Sequence, residues 1–122
     1  MVKQIAPADL SSLLNGNSQF ALIDVREAGE YNSTHITDSS LISRRHLESQ
    51  MFAAVPVKGC HVVLCDDDGR RAGLAAATLE GMGYSNVSVL DGGINRWSTQ
   101  DFPTEWGSNV ISKVFGEKME VV

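Results

Sequence analysis

Val62-Val63-Leu64-Cys65-Asp66-Asp67-Asp68-Gly69-Arg70-Arg71 is the stretch whose reading decides the fold. Its first four residues are apolar without alternation, which fits a strand covered on both faces of its sheet. Asp66 to Gly69 is loop chemistry, and Asp68 is placed to cap a following helix. From Arg70 to about Met82 the spacing predicts that helix, with Leu74, Ala75 and Leu79 on its apolar face and Gly83 suited to its C-terminal cap. Strand, tight loop and helix in succession are the unit from which parallel α/β folds are built.

The same alternation continues on either side. Downstream, Val87-Ser88-Val89-Leu90 reads as a strand, then Asp91-Gly92-Gly93 as a turn, then a helix carrying Ile94 and Trp97. Upstream, Pro7 to Leu14 is a short amphipathic helix stopped by Asn15-Gly16, and Phe20 to Val25 is a second apolar strand. Glu27 to Asn32 reads as one helical turn, Ser40 to Ile42 as a short strand, and Leu47 to Ala54 as a helix. The class is α/β with a parallel sheet.

A chain of 122 residues has the size of one domain, and 43% hydrophobic with 20% charged residues is an ordinary globular composition. No segment approaches the roughly 20 apolar residues of a membrane-spanning helix. Met1 to Leu10 carries one lysine and already contains Pro7 and Asp9, which is not the layout of a secretory signal, so a cytoplasmic location is expected. The net charge of −5 gives no general attraction for nucleic acid or an anionic membrane. Cys60 and Cys65 would lie on opposite faces of a strand and roughly 16 Å apart, too far to pair. They are expected to be free thiols, and without CxxC or His-x-Cys spacing neither a metal nor another cofactor is called for.

Four landmarks, in order, resemble the rhodanese family over about residues 5–106: Leu22-Ile23-Asp24-Val25-Arg26-Glu27; Tyr31 with His35-Ile36; Val62 to Arg71; and Leu90-Asp91-Gly92-Gly93-Ile94 with Trp97. The resemblance implies a rhodanese-like domain over residues 1–106, with a central, mainly parallel sheet of about five strands flanked by helices on both faces. It implies a sulfurtransferase, in which a cysteine at a strand end carries sulfur as a persulfide between a small donor and a protein acceptor. It also assigns Asp24 and Arg26 to a fold-holding ion pair and His35 to loop packing.

The loop can be aligned in two registers. Counted back from the helix, Asp66 falls where the family's catalytic cysteine stands, and a carboxylate stores no sulfur. Counted forward from the strand, Cys65 opens the loop, and Cys65 to Arg71 becomes a Cys-x5-Arg run resembling the phosphatase and arsenate-reductase relatives of the fold. Cys65 is therefore the candidate nucleophile, with Asp66, Asp67, Asp68, Gly69, Arg70 and Arg71 as its binding loop. The three aspartates oppose both chemistries. At about 6 Å and an effective dielectric near 20, each resists a unit of substrate charge by up to roughly 3 kcal/mol.

The leading expectation is a sulfurtransferase acting through Cys65. The alternative is a catalytically inactive module, with Asp66 in the nucleophile slot, that binds a protein partner or a neighbouring domain. A phosphatase or arsenate reductase comes third. A Cys65 sulfur facing the loop amides favours the enzymes, and one facing the core favours the module. Residues 107–122, with Val110, Ile111, Val114 and Phe115, form an apolar extension suited to a linker or a partner contact.

Overall fold

The apolar runs become the middle of a sheet in the computed structural model, which describes residues 2–107. In chain order the elements are β1 (Lys3–Ile5), α1 (Pro7–Asn15), β2 (Ala21–Asp24), α2 (Ala28–Ser33), β3 (His35–Ile36) and β4 (Ser40–Leu41). A 3-10 turn at Arg44–His46 leads into α3 (Leu47–Ala54), β5 (Val62–Cys65), α4 (Arg70–Gly81), β6 (Val87–Leu90), α5 (Gly93–Thr99) and β7 (Thr104–Glu105). Five strands pair in the order β1-β6-β5-β2-β4, every pair parallel, while β3 and β7 form a separate antiparallel pair.

The period of two along a strand divides the core. Ile23, Val62, Leu64 and Val89 pack with Met51 of α3 and with Ala75, Ala76 and Leu79 of α4. Leu22, Val63, Cys65 and Leu90 pack on the opposite face with Leu10 of α1 and with Ile94 and Trp97 of α5. β5 lies between β6 and β2, so the loop leaving Cys65 emerges at the middle of the sheet's C-terminal edge, the usual ligand position in parallel α/β folds.

Two local expectations need correction. Leu74 is 52% exposed, and the inward stripe of α4 is Ala72, Ala75, Ala76 and Leu79. Leu74 lies about 100° around the helix from Ala75, and the alanines already close the gap to the sheet. The cap residue of α4 is Gly69, at φ 101°, rather than Asp68. The three strands not foreseen, β1, β3 and β7, are two or three residues long and drawn from partly polar sequence. Among the described residues, no helix is long and apolar enough to cross a membrane. Residues 108–122, most of the apolar extension, lie outside the described residues.

Candidate active-site loop

Cys65 ends β5 with its side chain 0% exposed, in the apolar cluster that holds Leu22, Val63, Leu90 and Trp97. Burial pushes its thiol well above the usual cysteine range. The Asp24 carboxylate adds to the shift, the Arg26 guanidinium opposes it, and Asp66 adds to it again. A thiol needs to ionise to attack, so this setting disfavours nucleophilic chemistry.

Asp66, one residue later, turns into the loop and is also 0% exposed. Its Oδ1 accepts the N–H of Gly69, and its Oδ2 accepts those of Arg71, at 2.7 Å, and Ala72, at 3.1 Å. Those of Arg71 and Ala72 are first-turn amides of α4, which have no carbonyl partners inside the helix. The chain's own carboxylate thus occupies the place where loop amides would meet an anion. Burial, the largest influence, raises the Asp66 acid; the bonds from Gly69, Ala72 and Arg71 pull it down, and the charge of Asp67 raises it again.

The other two aspartates serve the loop differently. Asp67 Oδ1 accepts the Asp68 N–H at 3.0 Å and Arg71 Nη2 at 3.2 Å, and Asp68 Oδ1 accepts the Arg70 N–H at 2.9 Å. All three carboxylates offer oxygens within 4.8 Å of one another. Both oxygens of Asp66 already face amides, so it has little to offer a cation.

Arg71, whose sequence setting allows either an anion or a neighbouring aspartate as its partner, meets Asp67 and forms a bidentate pair with Glu30 of α2, at 2.9 and 2.8 Å. The guanidinium holds the Glu30 carboxyl at about 2, with the Glu27 N–H helping. Glu30 was not foreseen as a loop residue. Its one sequence signal is the Glu27-x-x-Glu30 spacing, which forms a reciprocal cap at the start of α2. Arg70 points to solvent, as do Arg44 and Arg45, and Arg45 meets Glu27 at 3.0 Å.

The loop is held from behind by α5. Ile94 N–H donates to the Asp66 carbonyl at 2.8 Å, and Asn95 N–H to the Asp67 carbonyl at 3.0 Å. This approach requires Gly93, at φ 62°, because a Cβ there would overlap the Asp67 carbonyl.

Asp24 and Arg26 meet as a buried pair, Nε to Oδ1 at 3.0 Å and Nη2 to Oδ2 at 2.8 Å, with Nη2 also donating to the Thr34 carbonyl at 2.6 Å. His35 stacks on Tyr31 with ring centres 3.9 Å apart. Its Nδ1 lies 2.7 Å from the Tyr31 carbonyl, which can only accept, so that nitrogen carries the hydrogen. The Asp24–Arg26 pair lies beside the strand end, Asp24 standing in register with Cys65. Cys60 stands apart, in a groove with Phe20, Val55 and Val57, before the start of β5.

Comparison with known proteins agrees on the fold. The model of the rhodanese-like domain matches residues 6–100. The probable adenylyltransferase/sulfurtransferase MoeZ of Mycobacterium tuberculosis is 33% identical over 100 residues, which are 81% of this chain and 25% of that protein. The thiosulfate sulfurtransferase GlpE of Pseudomonas savastanoi is 34% identical over 95 residues, 78% of this chain and 86% of that protein. The crystal structure of a thiosulfate sulfurtransferase from Pseudomonas aeruginosa superposes with a TM-score of 0.86 at 30% identity, covering 94% of this chain and 22% of that one. The chain thus spans about a quarter of the length of MoeZ and of the Pseudomonas aeruginosa enzyme, and most of GlpE.

Proposed function

The chain belongs to the rhodanese-like domain family, and we propose that it is a member without sulfur-transfer chemistry of its own, a module that binds a protein partner or a neighbouring domain. One observation carries this reading. The loop amides converge on the carboxylate of Asp66, and the Cys65 sulfur lies with the core. A carboxylate in that place accepts hydrogen bonds as an oxyanion would, but it cannot take up and release sulfur. Arg71 is paired with Glu30 and Asp67, which weakens the pull it would exert on a thiosulfate or phosphate. The Cys65-x5-Arg71 phosphatase reading loses support on the same grounds.

The sulfurtransferase names of the relatives favour the second reading, in which Cys65 carries sulfur. Two measurements separate the two. On treatment with iodoacetamide near neutral pH, the native protein should be alkylated at half-buried Cys60 and not at Cys65. On incubation with thiosulfate, its intact mass should show no added sulfur. A sulfur adduct that disappears in Cys65→Ala would overturn the module reading and restore the transferase.

A further inference from the structure

We propose that the outer face of α4 is where two copies of this chain meet, as an antiparallel helix pair in which Arg70 of each copy faces Glu80 of the other. The pairing is independent of what the loop carries.

At about 100° per residue, Arg70, Gly73, Leu74, Ala77, Glu80 and Gly81 fall within one stripe about 120° wide. It is turned away from the buried Ala72, Ala75, Ala76 and Leu79. All six residues are exposed or partly exposed, and Leu74, at 52%, is the large apolar side chain among them. Among the described residues, a Cβ built on Gly73 or on Gly81 would meet nothing within 4 Å. The domain's own packing therefore gives no reason for a glycine in mid-helix at residue 73, where it weakens the helix relative to alanine. Close approach of a second helix supplies one.

Charge identifies that helix. Arg70 stands in the first turn of α4 and Glu80 in the last, each opposing the partial charge at its own end of the helix. Among the described residues neither side chain has an ion-pair partner. A parallel second copy would set like charges side by side. An antiparallel copy instead brings its Glu80, with the negative end of its helix, to Arg70, and the two-fold axis repeats the contact at the other end. The same register lays Gly73 over Ala77 of the second copy, because both pairs are centred on Ala75. Leu74 of each copy then enters the shallow space left by these small residues on the other.

α4 has 12 residues and is about 18 Å long, which buries less than the roughly 800 Å² per partner of a stable complex. The dimer is therefore weak and forms at high protein concentration.

The test is sedimentation equilibrium of the full chain at concentrations rising to about 1 mM, where weak association is still measurable. The average mass of the native protein should climb with concentration towards that of two chains, and Leu74→Lys, a change at an exposed position, should keep it at one. Arg70→Glu and Glu80→Arg should each weaken association about fivefold or more, since each sets two like-charge contacts in the pair, and the two together should restore it. A native protein that keeps the mass of one chain throughout would overturn the proposal. So would a dimer that survives Leu74→Lys, or a double reversal that associates no better than the single ones.

Discussion

Asp66 and Asp24 are both fully buried aspartates beside the same loop, yet they hold different partners. Asp66 faces three main-chain amides, and Asp24 faces one guanidinium and the Arg26 N–H. Asp66→Ala removes the acceptor for all three amides, and water entering the vacated space offsets only part of that loss. We predict destabilisation by about 2 kcal/mol in urea unfolding, with an unchanged denaturant slope. Asp24→Ala leaves Arg26 as a buried unpaired charge and should cost more, about 3–5 kcal/mol. A smaller loss for Asp24→Ala than for Asp66→Ala would mean that Arg26 finds water or another acceptor. At this scale the sequence was only partly legible. Its residue types identified the Asp24–Arg26 pair by family resemblance, but Cys65 and Asp66 were both eligible for the strand end. Which side chain turns inward depends on the amides of α4, and those are invisible in the residue types.

At the scale of elements, the loop is a junction of four: β5 delivers it, α4 supplies amides, α2 sends Glu30 across to Arg71, and α5 abuts its carbonyls. The Glu30–Arg71 pair has a definite pH signature. With the folded Glu30 held at about 2, its contribution is fully present above the ordinary glutamate value and is lost as pH falls from there towards 2. Both partners are partly in solvent, so the contribution is on the order of 1 kcal/mol after screening. Glu30→Gln should flatten that acid limb in urea titrations at successive pH values. An acid limb identical to the native one would show that the pair adds nothing measurable. Gly93→Ala should drive α5 off the loop and cost about 2–3 kcal/mol, since it combines a positive φ with backbone overlap. A melting temperature unchanged within error would contradict the close approach of α5. The long elements were legible because their apolar periods were unbroken: α3 and β5 fall on the expected residues. Glu30 escaped notice because a salt bridge spanning 41 positions leaves no local pattern.

At the scale of the molecule, the parallel sheet with helices on both faces was readable from the alternation of strand and helix, together with the family landmarks. The activity was not, because a fold of this kind positions a loop at the sheet's C-terminal edge without specifying what the loop holds. This domain keeps an amide cradle and fills it with its own carboxylate. The most direct test puts a thiol in the cradle. Asp66→Cys, made with Cys65→Ala to prevent pairing of adjacent thiols and Cys60→Ser to remove the groove thiol, should be compared with the Cys65→Ala, Cys60→Ser protein after incubation with thiosulfate. We predict one added sulfur in the intact mass of the Asp66→Cys protein and none in its parent. An Asp66→Cys protein that folds yet takes up no sulfur, while the native protein takes up one through Cys65, would contradict the claim.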